Sequence, residues 1–153
     1  MTQLVVTLED QAFLPNIRRI LKSLQGVAKV SVKTDSIGSG PNYLRLSSRA
    51  NELFKLHDGW DGPDSKAISR KLLLKFDEQV SRIDDAWLTD WTLFPEAHGY
   101  LYLDYSKDST LAGITMTESQ LTYFIKKEGT VEKGDGKKFS NSNLKSILKK
   151  VYE

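Results

Sequence analysis

The chain contains no cysteine. That excludes disulfides, thiolate nucleophiles and every cysteine-based zinc or iron–sulfur site, and it fits a reducing compartment. Charge of one sign is also lacking. Lys and Arg number 22 against 20 Asp and Glu, a net charge of +2 over 153 residues, which gives little electrostatic reason to expect a polyanion or a membrane surface as partner. No apolar run approaches the roughly 20 residues of a membrane-spanning helix. "MTQLVVTLED" lacks the basic start and long apolar stretch of a secretory leader. A cytoplasmic location is the resulting expectation.

Catalytic signatures are missing as well. There is no G-x-S-x-G elbow and no phosphate-binding G-x-x-x-x-G-K-[ST] loop. "GDGKKF" starts like a dinucleotide fingerprint but has Phe139 in place of the third glycine and no strand-to-helix context, so it reads as a turn. The two histidines, His57 and His98, share no helical face, so no zinc motif forms. His57 reads as a cap or packing residue. Nothing in the sequence calls for a metal or a cofactor.

What is present is enough for about one domain with a real core: 39% hydrophobic and 27% charged residues. The charge is segmental. Residues 44–110 hold 9 basic and 12 acidic groups, and residues 111–153 hold 8 and 5. Residues 1–33 read as a β-α-β unit, with a strand at "LVVTLED", a helix starting near Phe13–Pro15 and a second strand at "VAKVSVK". Leu14, Ile17, Leu21 and Leu24 recur at helical spacing, with Ile20 widening the stripe and Gly26 as the stop. Residues 34–43, "TDSIGSGPNY", read as a Gly/Ser linker. Below ~40 residues a unit rarely folds unaided. The leading unit is therefore expected to dock on the remainder, on a second copy or on another protein.

Residues 44–153 are expected to form an α+β domain: two helices, a β-meander and a C-terminal helix. "SSRANELFKLHDGW" reads as a helix capped by Ser47 or Ser48, with Ala50, Leu53, Phe54 and His57 on one stripe. "SRKLLLKFDEQVSRI" reads as a second helix, capped by Ser69 and burying Leu72, Leu73, Phe76, Val80 and Ile83. From Trp91 the period becomes two. A hairpin turning at "PEAHG" and strands at "LAGITM" and "LTYFIKK" make a sheet of three to four antiparallel strands with helices packed on one face. "EGTVEKGDGKK" reads as turn-rich, with at most a short strand at Thr130–Glu132. Leu144, Ile147, Leu148 and Val151 form the buried face of the last helix.

Between the first two helices of that domain stands "LHDGWDGPDSKAIS". Its Asp58, Asp61 and Asp64 do not fit a calcium loop, because counting from Asp58 puts Trp60, Gly62 and Ser69 at positions 3, 5 and 12. The expected reading is a helix–helix corner, with Asp and Gly in tight turns and Trp60 plugging the core beside it. A ligand or partner site at Trp60 and Asp61 is the alternative. Tyr100 and Tyr102 share a strand face with Asp104, while Leu101, Leu103 and Tyr105 share the other. The tyrosine face is either half-buried under a helix or a surface for stacking on a partner. Asp84, Asp85, Asp90 and Glu96 around Trp87 and Trp91 are candidates for acid–base chemistry.

The stretch "LHDGWDGPDSKAIS" resembles the G-W-D-G motif of a widespread class of small bacterial proteins. In that class a helix-start Ser follows, and later an L-F-P-x-x-x-G segment. This chain has "TLFPEAHGYLYLD" and then "LAGITMTESQLTYF", with Thr115–Thr117 departing from the class's I-x-I-G pattern. The resemblance spans about residues 44–153 and implies fold and cellular setting, with no catalytic residues to carry over. The leading unit is similar to short N-terminal segments of small bacterial open reading frames, some in toxin–antitoxin-like gene pairs.

These readings converge on a non-catalytic interaction or regulatory protein, antitoxin-like, whose partner is a second copy or a neighbouring gene product. The residues expected to meet that partner are Leu14, Ile17, Arg18, Leu21, Trp60, Asp61, Tyr100 and Tyr102. A carboxylate-dependent enzyme acting on a saccharide is one alternative. A nucleic-acid binder using Arg18, Arg19 and Lys22, or Lys145, Lys149 and Lys150, is the other.

Overall fold

The structure, a computed structural model, describes residues 14–26 and 40–153. The chain divides into two units, Met1–Asp35 and Ser36–Glu153. In the first, helix α1 spans Leu14–Ser23, beginning where Pro15 can occupy a first helical turn. Gly26, at φ +90°, follows in a left-handed conformation open to glycine. Ile17 and Leu21 are half-buried, while Ile20 and Leu24 are exposed. The two strands expected around α1, and the side chains of Leu14 and Arg18, lie outside the described residues.

The second unit contains helices α2 (Pro41–Leu53), α3 (Arg70–Ser81) and α4 (Asn141–Lys150), a short 3-10 turn at Asp85–Leu88, and five strands. The strands are β1 (Trp91–Pro95), β2 (Leu101–Lys107), β3 (Thr110–Met116), β4 (Gln120–Lys127) and β5 (Thr130–Lys138). They form one antiparallel meander in the order β1-β2-β3-β4-β5. The sheet therefore has five strands, where three to four were expected. The extra strand is β5, almost wholly exposed along its length. An edge strand exposed on both faces has no apolar alternation, which is why "TVEKGDGKK" reads as turns. Its pairing with β4 skips a residue between Leu121 and Tyr123, so Asp135 and Gly136 together oppose Thr122. Gly136, at φ +64°, supplies the backbone that such a bulge needs. Gly134 is there because a Cβ would overlap the Tyr123 ring.

One sheet face carries the core. Trp91 and Leu93 of β1, Leu101, Leu103 and Tyr105 of β2, Ala112, Ile114 and Met116 of β3, and Leu121, Tyr123 and Ile125 of β4 are all buried. They join Leu46, Ala50 and Leu53 of α2, Leu72, Leu73, Phe76 and Val80 of α3, and Leu144, Ile147 and Leu148 of α4 in a single cluster. Truncating a Leu at the centre of such a cluster costs about 2–5 kcal/mol. Ser69 caps α3 by accepting the Leu72 N–H at 3.0 Å, as the sequence suggests. Ser140 does the same for α4 through Asn143.

Helix α2 departs from expectation. It begins at Pro41, not at Ser47 or Ser48, so "PNY" is helix rather than linker. Ser47 donates to Asp77 Oδ1 at 2.6 Å from within the helix instead of capping it. Leu46, Ala50 and Leu53 form the buried stripe, and Phe54 and His57 lie beyond the helix, exposed. The cap comes from a distant segment. Gly40, the residue before the helix, makes no side-chain cap; the Asp85 carboxylate accepts from Tyr43 N at 2.7 Å and from Asn42 N at 3.2 Å. A Cβ on Gly40 would overlap that carboxylate. An anion at a helix N-terminus satisfies free N–H groups and meets the positive end of the dipole.

Asp85→Ala is accordingly expected to lower stability by about 1–2 kcal/mol, read as a reduced urea midpoint at unchanged slope. An unchanged midpoint contradicts the capping role.

Candidate functional site

The "HDGWDGPDS" corner is closed largely by its own backbone hydrogen bonds. Trp60 N donates to His57 O at 3.1 Å, Gly59 N to Ser65 O at 2.9 Å and Gly62 N to Gly59 O at 3.3 Å. Ser65, the one buried polar side chain among the described residues, accepts from Asp61 N at 2.9 Å and donates to Gly62 O at 2.8 Å. Asp58 Oδ1 takes the Ala67 N–H at 2.9 Å. Gly59 and Gly62 stand at φ +88° and +109°, where a Cβ would be strained. The motif is a turn built by hydrogen bonding, as the corner reading has it. Trp60 does not plug the core, however. It is half-buried outside the core cluster, and its indole N–H donates to Lys66 O at 2.8 Å, stapling the loop to itself.

The corner is tied to the β1–β2 turn. Lys66 N donates to Ala97 O at 2.8 Å, and Gly99, at φ +85°, lies so near that a Cβ would stand 3.0 Å from Ala67 O. Two stretches far apart in sequence, "GWDGPDSKA" and "LFPEAHG", thus meet in one structural knot. It holds the start of β2 in place, and with it Tyr100 and Tyr102.

Those tyrosines lie on the sheet face opposite the helices, which corrects the reading of a helix-covered surface. The face is built in register. Phe94 pairs with Tyr102, Tyr102 with Thr115, and Thr115 with Thr122. In the next row Asp104 pairs with Gly113, Gly113 with Phe124, and Phe124 with Lys133. Gly113 is buried because the Tyr102 hydroxyl and the Phe124 ring lie over it; a Cβ would overlap both. Glycine in mid-strand here marks a close approach. Around this centre Phe94, Tyr100, Leu111 and Val131 are 42, 40, 43 and 49% exposed. His98 stacks on Tyr100 with ring centroids 6.1 Å apart.

The electrostatics of the face are uneven. Burial raises the Glu96 carboxyl above its ordinary value, against the opposing pull of His98. Burial likewise raises the Tyr102 hydroxyl, reinforced by Asp104 and Glu96. On the other side of the sheet's midline stand Lys126 and Lys133, both exposed.

Three of the four carboxylates proposed for catalysis, all but Glu96, are engaged elsewhere. Asp84 Oδ1 caps the 3-10 turn through Ala86 N at 3.0 Å, Asp85 caps α2, and Asp90 pairs with Lys107 at 2.9 Å. Lys150 is held by Glu132 and by the Tyr123 hydroxyl, and Lys149 sits over the Trp87 ring at 5.3 Å. Both are thereby committed to fixing the last helix. Among the described residues, no group of three His, Asp or Glu side chains is placed to hold a metal ion, and no helix is long and apolar enough to cross a membrane.

Of the residues expected to meet a partner, Tyr100 and Tyr102 share the open face, and Trp60 and Asp61 belong to the corner bonded to its turn. Ile17 and Leu21 belong to the other unit. Phe94, Gly113 and Phe124 were missed, although the alternation of "WTLFP" and "LTYFIKK" already assigns Phe94 and Phe124 to the Tyr102 face. Comparison with family models, curated proteins and solved structures finds no match.

Two measurements check this geometry. Millimolar calcium or magnesium should leave the melting temperature unchanged, because the Asp58 carboxylate already takes the Ala67 N–H and, among the described residues, no three acidic or His side chains converge on a metal position; a rise would reveal a cation site. Glu96→Gln concerns pH. A carboxyl raised in the folded state makes folding less favourable as pH climbs from the ordinary carboxyl range through the raised value. The substitution should therefore improve the urea midpoint relative to wild type more at about pH 7 than at about pH 4. An equal effect at both contradicts it.

Proposed function

We propose that this chain is a non-catalytic protein-interaction module and that its partner docks on the open face of the sheet. The observation that carries the reading is the aromatic centre formed by Tyr102 and Phe124 over Gly113, ringed by exposed Phe94, Tyr100, Leu111 and Val131. Aromatic side chains held rigidly at a surface bring large contact area at small entropic cost, and contiguous exposed apolar patches mark interaction sites. The engagement of Asp84, Asp85 and Asp90 in caps and an ion pair weighs against the saccharide-hydrolysing alternative. The tethering of Lys149 and Lys150 weighs against nucleic acid. The G-W-D-G resemblance supports the antitoxin-like or regulatory version, in which the partner is a neighbouring gene product or a second copy of the chain in a cytoplasmic setting.

Phe124→Asp and Tyr102→Asp should each abolish capture of the partner, whether a host protein or an untagged copy of the chain, while keeping a cooperative melt. Leu74→Asp, an exposed change on α3, should leave capture intact. Affinity capture with tagged wild type and variants reads this directly. A wild type that captures nothing, or capture that survives both changes on the sheet face, overturns the proposal.

A further inference from the structure

The open face has a polarity that selects among partners. Glu96, near the Tyr102 hydroxyl, and Asp104 lie on the β1–β2 side, and Lys126 and Lys133 on the β4–β5 side, where they outnumber the Asp135 carboxylate that accepts from Thr122, with Tyr102, Gly113 and Phe124 between the two sides. The same division is written along the chain, where residues 44–110 are net acidic and residues 111–153 net basic. A partner of uniform charge would oppose one side of this face while attracting the other. A surface that is acidic at one end, basic at the other and aromatic in the middle is matched by its own image turned end for end.

We propose that the open face binds the same face of a second copy of this chain. Acidic side meets basic side, and the two Tyr102–Phe124 centres pack on each other. The inference rests on the reading of this face as a docking surface and names its occupant. Size is consistent with a dimer of modest affinity. Five strands at ~4.8 Å and about seven residues at ~3.3 Å give a footprint near 550 Å² in projection, toward the small end of stable contacts, which take roughly 800 Å² of accessible surface from each partner. The contact is isologous, so each acidic–basic pairing occurs twice. Dissociation is therefore sensitive to salt, and the dimer population depends on concentration in the micromolar range.

The symmetry supplies a test that folding defects cannot imitate. Asp104→Lys places lysine against Lys126 or Lys133 at both symmetric contacts, and Lys126→Asp places aspartate against acid at both. Each full-length variant alone should dissociate at least about tenfold more readily than wild type in sedimentation velocity. An equimolar mixture should regain a dimer, because each opposed pair is then again of opposite sign. Native mass spectrometry of the mixture should show the heterodimer in excess of either homodimer. Glu96→Lys with Lys133→Asp provides a second pair should either first variant fail to fold. Wild type that stays monomeric to near-millimolar concentration overturns the inference, as do variants that dimerise unchanged or mixtures that do not recombine. A monomeric wild type whose capture of a different protein still requires Phe124 and Tyr102 would sink the dimer and leave the docking reading standing.

Discussion

A five-stranded sheet has two faces, and the helices that follow and precede it in this unit pack on one. This constraint orders the rest of the structure. Because Leu93, Leu103, Ile114 and Leu121 point into the helical layer, period-two geometry obliges Phe94, Tyr102, Thr115 and Thr122 to point away from it. A one-residue slip in any strand would exchange the two sets, so burial of the aliphatic row fixes the register in which the aromatic row is displayed. The exposed face is a consequence of the core. Its residue types are not, since a sheet face meant only for water is met by Thr, Ser and Lys, and this one has aromatics packed over a glycine.

Polar contacts at its ends add to the apolar ones that hold the helical layer at its middle. Asp85 closes the start of α2, and Arg45 and Arg49 on the same helix donate to the Trp91 carbonyl at 2.7 Å and the Leu93 carbonyl at 3.3 Å. Those carbonyls belong to an edge strand, which would otherwise present hydrogen-bonding groups to any passing chain. Asn141 donates to Gln79 O at 3.0 Å and joins the start of α4 to the end of α3. Tyr152 packs edge-on against both Trp87 and Tyr105, with centroids 5.5 and 5.8 Å away. Its hydroxyl, which bonds the Thr89 carbonyl, is pushed up to about 12 by burial and by Tyr105. The acidic cluster near the two tryptophans is therefore part of this framework.

The parts of the fold that were legible in the sequence are those where burial leaves a periodic trace. The stripe Leu72, Leu73, Phe76, Val80, the alternation in "YLYLDYS" and the cap at Ser69 each follow from local chemistry. The failures share a cause. β5 is held by main-chain pairing and buries almost nothing, so its residues carry no pattern. The start of α2 is set by an aspartate far along the chain, and a Gly-Pro pair that looks like a linker is in fact shaped by that carboxylate. Trp60 reads as core because tryptophan usually is, but its N–H is satisfied by a loop carbonyl that only the folded corner provides. For the candidate surface, the tyrosines were visible from composition. Their exposure was not, because alternation tells which residues share a face and leaves open which face is covered.

The two edges of the sheet bear on where association can occur. β1 is short, ends in Pro95 and has carbonyls occupied by Arg45 and Arg49. β5 carries Lys133, Lys137 and Lys138 and a bulge at Gly136, and both features resist the addition of another strand. Edge-to-edge growth is thus opposed on both sides by different means. With both edges guarded and aromatics uncovered on one face, the proposed docking would be confined to that face, where side chains rather than backbone decide the partner. Such contact is specific because it depends on shape and on the placing of a few charges, whereas backbone pairing would accept almost any extended chain.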